Sequence, residues 1–380
     1  MLIECEEAVS CDAAFFEFAE NNGLLSYSEG RTMNEYEMGI PIKAYSKQGL
    51  EQVICNLGQP MFRVKQLYDW IYCKHVSDYD EMTNLPAKLR NDLKTNAPLY
   101  CAEIVERRVS RDGTRKYIVR FHDDNTTEMV AIPSDGRLTV CFSTQIGCPM
   151  QCSFCATGKE GFIRNLLPGE MIDQIVLAER DMGMRVSNVV AMGQGEPFLN
   201  YENVLSALRI MNDQAALGIG ARHITVSTCG LIDGIEDWSK EPEQFTLAVS
   251  LHSAIQKTRN ELMPRVANQS LEKLQNALVD YTLSTKRRVT LEYIMIEGVN
   301  DDDEHLDALR DFCAGMLCHV NLIPINSVDD SSLSPAPQRI MQKFVVVMQK
   351  AGIETTIRNS KGQDIDGACG QLKNQLMGTQ

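Results

Sequence analysis

A chain of 380 residues with 44% hydrophobic content has room for two or three modules and is ordinary in composition for a globular protein. No apolar run reaches bilayer-spanning length and the N-terminus opens on acids, so no membrane partner or leader is expected; thirteen cysteines then point to reduced thiols in a cytoplasm. The net charge of −14 is uneven, because residues 1–40 hold nine acids against one base, Arg31, and carry −8, leaving −6 for the rest.

The acidic segment, taken as residues 1–45, reads as a solvated extension with no assigned role. Residues 46–98 form a helical accessory module. Leu50, Val53, Ile54 and Leu57 recur at helical spacing, as do Leu67, Trp70 and Ile71. Thr83-Asn84-Leu85-Pro86 punctuates the module before a last helix around Lys88–Leu93. Such a module suits either RNA gripping or plain packing.

Residues 99–135 change period to a β extension, with short runs at Ile118, Val119 and Phe121 and at Met129, Val130 and Ile132, split by Asp112-Gly113 and Asp123-Asp124-Asn125. Arg107, Arg108, Arg111, Arg115, Lys116 and Arg120 face a lone Asp112 there. Six bases on two strands suit either a phosphate track or a solvated strand face. The acidity of the whole chain is a mild objection to a nucleic-acid partner, although local patches matter more than the total.

From residue 136 to about 360, β runs alternate with amphipathic helical patterns. The runs are Leu138–Ser143, Val186–Met192, His223–Ser227, Phe245–Leu251, Val289–Met295, Val320–Ile325 and a short Glu354–Ile357. Helical patterns between them include Glu170–Asp181, Asn203–Met211, Leu271–Ser284 and Asp303–Cys313. The alternation predicts an α/β fold with parallel strands, right-handed crossovers and six units, a partial (β/α)6 barrel. Chemistry in such folds gathers at the C-terminal ends of the strands.

The densest chemical signal follows the first of those strands. Cys148-Pro149-Met150-Gln151-Cys152-Ser153-Phe154-Cys155 places three thiols on one loop in a C-x3-C-x2-C pattern. A four-iron cluster takes four thiolates, so three leave one iron open to another ligand, as reductive cleavage of S-adenosylmethionine (SAM) requires. Zinc would want a second Cys/His pair at similar spacing, and none follows.

Other strand ends carry polar groups. The second ends in Gly193-Gln194-Gly195-Glu196-Pro197, where glycines admit a ligand to the backbone and a carboxylate suits an ammonium. Ser227, Ser250-Leu251-His252 and Asn326 close the third, fourth and sixth strands, a set suited to hydrogen bonding a polar cofactor. Cys141 lies within the first strand. Cys369 sits in a glycine-flanked tail, residues 361–380, as a thiolate able to reach a barrel mouth as a nucleophile.

In combination, the cysteine loop, Gly195-Glu196-Pro197, Ser250-Leu251-His252 and the tail resemble the radical SAM RNA methyltransferases that act on adenine carbons, most closely the RlmN family, which makes 2-methyladenosine. The similarity runs from about residue 46 to the C-terminus. It implies a radical SAM partial barrel with a 4Fe-4S cluster on Cys148, Cys152 and Cys155, and SAM contacts from Gly195, Glu196, Ser227, Ser250, Leu251, His252 and Asn326. Cys369 is implied as the methyl-carrying cysteine, Cys141 as its resolving partner in a Cys141–Cys369 disulfide, and Glu128 as a proton acceptor. Ser327, Gln194 and Ser253 depart from the family pattern without removing a functional side chain.

The chemistry implied by the resemblance uses two SAM per turnover. One methylates Cys369; cleavage of the other yields a radical that takes hydrogen from that methyl, and the resulting carbon radical adds to adenine C2, an sp2 carbon with no lone pair for polar methylation. The implied partners are 23S rRNA, tRNA and an electron donor such as flavodoxin or ferredoxin, with a monomer expected. Three alternatives stay open: the C8-methylating resistance relatives, another radical SAM branch such as a glycyl-radical activase, and a zinc-stabilised RNA-binding module.

Overall fold

The computed structural model describes residues 39–326 and 333–372; most of the acidic extension and Ser327 lie outside them. Three helices, Lys47–Asn56, Phe62–Tyr72 and Ala87–Asn96, form the first module. Ser46 caps the first by accepting the Gly49 amide at 3.0 Å, and Pro86 precedes the third, where a missing N–H costs nothing. Leu50, Val53, Ile54, Leu67, Ile71 and Leu89 form its buried seam, at the spacing the sequence predicts.

Two polar anchors hold this module to the rest of the chain. Lys43 Nζ meets Asp173 Oδ1 at 2.6 Å, both side chains nearly buried, and Tyr68 donates its hydroxyl to Asp213 at 3.1 Å.

Strands β1 (Glu103–Val109), β2 (Arg115–Arg120), β3 (Thr126–Ser134) and β4 (Arg137–Phe142) run as an antiparallel meander. A small hairpin of β5 (Gln145–Gly147) and β6 (Phe162–Asn165) brackets the cysteine loop. Then β7 (Asn188–Ala191), β8 (Ile224–Thr228), β9 (Thr246–Ser250), β10 (Val289–Met295), β11 (Cys318–Pro324) and β12 (Glu354–Ile357) join β4 in parallel. The result is one ten-stranded sheet in the order β1-β2-β3-β4-β7-β8-β9-β10-β11-β12. The β extension is therefore continuous with the parallel sheet, and β4 belongs to both.

Six helical crossovers link the seven parallel strands, through Pro168–Met182, Tyr201–Asn212, Ile232–Lys240, Leu271–Thr285, Asp303–Cys313 and Gln338–Lys350. The sheet ends on β1 and β12 instead of pairing with itself, so the α/β barrel is partial. Strand alternation buries Val140 and Phe142, Val226, Leu247 and Val249, and Leu291 and Tyr293. Behind them Trp238 packs on Phe198 and Phe245 at ring separations of 5.7 and 6.0 Å.

The basic run is largely neutralised within the fold. Asp181 receives both Arg107 and Arg115, Glu106 pairs with Arg108, and Glu103 with Arg120. Lys116 and Glu128 meet at 3.0 Å with both side chains buried. A long phosphate track is not what these strands present.

Lys43→Met should lower stability by about 3 kcal/mol, because Asp173 would be left as a nearly buried charge without its cation. Urea unfolding reads this directly, and Lys43→Arg should recover most of the loss.

Candidate active site

The C-terminal ends of the parallel strands surround a cavity of about 200 Å3. Its walls include Cys141 from β4, Gly195 and Glu196 after β7, Ser227 from β8, Ser250 and His252 from β9, and Cys155 and Cys369 from loop and tail. Seven predicted groups from separate stretches of sequence thus share this space with Gly195.

The cysteine loop is clamped at both ends. Cys148 N–H donates to Gly161 O at 2.7 Å, and Ser153 N–H to Leu262 O at 3.0 Å. Gly147 (φ +73°) lies so close to the Gly161 carbonyl that a Cβ would approach it to 2.1 Å, so only glycine fits. Cys152 is buried; Cys148 and Cys155 are half-buried. Burial raises the Cys148 and Cys155 thiols, and the negative charge of the neighbouring thiols adds to the shift. Amides oppose it, from Met150 toward Cys148 and from Gly158 and Thr157 toward Cys155.

Gly195 (φ +108°) sits where a Cβ would come within 2.7 Å of Thr144 Oγ1 and Gln145 Cβ. That turn aims Glu196 inward, where its carboxylate accepts the Phe198 amide at 3.0 Å and the Cys229 amide at 2.6 Å. Burial raises the Glu196 carboxyl, while these donors favour its ionised form. Two amides use part of a carboxylate's acceptor capacity and leave room for a ligand cation.

His252 adopts a left-handed backbone (φ 58°), uncommon for a residue with a side chain and here enforced on all sides. Its amide donates to Glu292 O at 3.2 Å, its carbonyl accepts Asn300 Nδ2 at 2.7 Å, and its Nδ1 accepts the Ile294 amide at 3.1 Å. The accepting Nδ1 leaves the proton of the neutral ring on Nε2. Burial, with Arg259 adding, pushes its pKa down to about 3. Phe154 of the cysteine loop packs edge-on against the imidazole at 4.7 Å.

Leu251 is fully buried and holds the turn through its backbone, off the cavity wall. Asn326 also stands off the wall, with Nδ2 donating to the Cys369 carbonyl at 3.1 Å. Glu128 lies on the same face of β3 as Val130 and Ile132, which line the cavity, but its carboxylate is engaged by Lys116.

The described part of the tail, residues 361–372, is docked. Ala156 N–H donates to Gly370 O at 2.8 Å, Thr157 Oγ1 to Leu372 O at 2.6 Å, and Lys116 Nζ to Asp366 O at 3.2 Å. Ser110 Oγ donates to Asp364 at 2.5 Å, so the β1–β2 turn holds the tail from the other side.

Residues 41–99 match the family described as ribosomal RNA large subunit methyltransferase N-terminal domain, and residues 142–309 match the radical SAM superfamily. A chain from Thermoanaerobacter sp. (strain X514), named for dual-specificity RNA methyltransferase RlmN, is 43% identical over 337 residues, covering 88% of this chain and 98% of that one. A chain of the same name from Thermotoga neapolitana is 42% identical over 84% of this chain and 93% of its own. The crystal structure of a radical SAM methyltransferase from Sphaerobacter thermophilus superposes with a TM-score of 0.83 at 40% identity, over 88% of this chain and 99% of that one.

The chain belongs to the RlmN family of radical SAM RNA methyltransferases. The family uses a 4Fe-4S cluster and SAM, and the donor set here fits them. Three free thiols on one loop, one buried and two half-buried, are the soft, separate donors that a cubane takes at three of its irons. Iron would also offset the burial and the neighbouring charge that raise the Cys148 and Cys155 thiols.

Sequence reading missed Arg358, Glu292 and Arg259 in this RlmN-family site. Arg358 and Glu292 line the cavity. Arg259 Nη1 donates to the Ser250 and Leu251 carbonyls at 2.9 and 2.7 Å and Nη2 to the Cys229 carbonyl at 2.8 Å, so it ties two strand ends together. The one available cue was a strand interior, Leu291-Glu292-Tyr293, carrying a carboxylate amid apolar residues.

His252 gives a pH test. The unfolded chain takes a proton on this ring near 6.5, whereas the folded protein refuses it until about 3, so the contribution of His252 to stability falls as pH drops through that window. At about pH 5.5 the cost should be about 1.4 kcal/mol. At pH 6.5, where the unfolded ring is half protonated, it is already about 0.4 kcal/mol, so His252→Asn, which tolerates the left-handed backbone, should flatten the change in urea-unfolding free energy between pH 6.5 and 5.5 by about 1 kcal/mol.

Proposed function

We propose that this RlmN-family enzyme methylates C2 of an unpaired adenosine in 23S rRNA and in tRNA, carrying the methyl group on Cys369. The observation that supports this most is the single cavity lined by both Cys141 and Cys369, with Cys155 of the metal-binding loop on the same wall. When bound, the cluster and SAM supply one-electron cleavage of a sulfonium and hence a carbon radical.

The chain's own groups divide the remaining work. Cys148, Cys152 and Cys155 hold the cluster. Glu196 receives the ammonium of SAM, while Ser227, Ser250 and His252 orient its polar groups, with Leu251 and Gly195 shaping the backbone around them. Asn326 positions Cys369 through its carbonyl. The Cys369 thiolate takes the first methyl by displacement and later carries the carbon that bonds to the base. Glu128, which meets Lys116 at 3.0 Å, accepts the ring proton. One electron leaves the adduct radical, the Cys141 thiolate attacks the Cys369 sulfur, and the displaced carbon takes a proton to become the methyl group, leaving a disulfide that an external thiol reductant reopens.

The target base leaves its stack to enter so narrow a space. Such an enzyme works as a monomer in the cytoplasm, with a flavodoxin or ferredoxin as electron donor. Among the described residues, no helix is long and apolar enough to cross a membrane.

Peptide mass spectrometry of the purified enzyme should find a methyl group on Cys369. Cys369→Ala should lose all turnover, and Cys141→Ala should accumulate an RNA–protein crosslink visible by gel shift. RNA from a deletion strain should lack 2-methyladenosine; loss of 8-methyladenosine instead would move the reaction to C8, and an active Cys369→Ala enzyme would remove the mechanism.

A further inference from the structure

Arg358 lies one residue past β12, and its amide extends the ladder by donating to Leu322 O at 2.8 Å. Its half-buried side chain lines the cavity beside Cys141, Cys369 and Glu292. Among the described residues it has no ion pair within 4.0 Å, and its guanidinium hydrogen bond goes to Met192 Sδ at 4.0 Å, a weak acceptor at long range. A guanidinium with five donors rarely settles for a thioether. Glu292, buried on β10, accepts Asn321 Nδ2 at 2.8 Å, a bond that uses only part of its carboxylate's acceptor capacity.

We propose that Arg358 is a positioning residue whose charge holds the thiolate forms of Cys369 and Cys141 in turn, with the Glu292 carboxylate as the competing anion. The proposal rests on the reading above that both thiols act as nucleophiles. Its physical basis is a charge count inside one cavity. The guanidinium shares that cavity with the one carboxylate and two thiols that act on its charge, Glu292, Cys369 and Cys141, and burial makes each uncompensated charge among them costly. The cationic form of Arg358 is favoured first by Cys369, against burial, and then by Glu292 and Cys141. Burial and the charge of Cys369 push the Cys141 thiol up to about 12, with Arg358 opposing them. Burial raises the Glu292 carboxyl, again with Arg358 opposing.

Each stage of the cycle then has an assigned counter-charge. Arg358 steadies Cys369 when that thiolate takes a methyl from SAM. Alkylation removes the negative charge, because the thioether is neutral, and Arg358 becomes available to Cys141. The proton that leaves Cys141 goes to solvent or to Glu292, whose raised carboxyl makes it a ready acceptor. The other ionisable groups lining the cavity are Glu196, His252, Cys155, Cys229 and Lys361.

Iodoacetamide alkylation of Cys369 at pH 8, followed by peptide mass spectrometry, tests this without SAM or RNA. Full-length protein would be produced under iron limitation, so that Cys369 arrives unmethylated, and then reconstituted with iron and sulfide. Arg358→Met should slow alkylation about tenfold, the effect of removing one nearby charge from a thiolate's surroundings. Arg358→Lys should restore most of the rate, and Glu292→Gln should raise it above wild type severalfold. Unchanged rates in both Arg358→Met and Glu292→Gln, or slowing in both, would overturn the proposal. Should Arg358→Met fail to fold by circular dichroism, Glu292→Gln decides alone: faster alkylation supports the assignment, while an equal or slower rate defeats it. Because this readout needs no methyl transfer to RNA, it succeeds or fails separately from the proposed reaction.

Discussion

A hydrogen bond of 2.8 Å from the Ala156 amide to the Gly370 carbonyl joins the two sulfur-bearing parts of the chain. Ala156 directly follows the last cysteine of the loop, and Gly370 directly follows Cys369. The Thr157 hydroxyl adds a second tie, to Leu372, so the short helix Ala156–Glu160 is the receiving surface for the tail. Whatever orders the loop also orders the groups that hold Cys369. Metal ligation and tail docking are therefore coupled through the same backbone, since both depend on the conformation between residues 152 and 158. The β1–β2 turn supplies the opposing clamp, which gives the otherwise peripheral meander a part in placing the thiol.

The cavity concentrates groups that resist burial, and each has a specific compensation. Glu196 accepts two amides, Arg259 donates to three carbonyls, and His252 stays neutral with its Nδ1 satisfied by a backbone N–H. Strand ends make this possible, because parallel strands run out of ladder partners at one rim and leave amides and carbonyls to be used. The polar lining is thus preorganised by the same feature that ends the sheet. A cofactor entering it replaces little internal hydrogen bonding, apart from what it asks of the half-buried side chains.

Much of the fold was legible because each parallel strand is a short apolar run between helical patterns. The predicted run Val289–Met295 matches β10 residue for residue, and Asp303–Cys313 matches its helix. The run Glu354–Ile357 likewise matches β12, and the others differ by one to three residues at their ends. What escaped was long-range. Nothing local in Glu128-Met129-Val130 shows that Lys116 fills the register beside it, and nothing in the tail shows that four separate segments receive it. Arg358 and Glu292 were invisible for a related reason: a charge in a strand reads as solvent-facing until the topology turns that face inward. The cysteine spacing, by contrast, was informative because all three thiols lie on one loop and need no tertiary knowledge to be seen together.

The basic run on β1 and β2 shows how a composition signal changes meaning once paired. Exposed pairs such as Arg120 with Glu103 are screened by solvent, contribute little and exchange partners readily. Asp181 is different, since it serves Arg107, Arg115 and the Tyr117 hydroxyl together, and Lys116 is buried against Glu128. A phosphate approaching this face has to displace a carboxylate of similar charge, so the net electrostatic gain is small. With −6 on residues 41–380 as well, counterion release is a weak source of affinity for an RNA partner. In the reaction proposed above, discrimination comes from what a duplex does not offer, an unpaired base able to enter a cavity of about 200 Å3 whose wall includes Cys369.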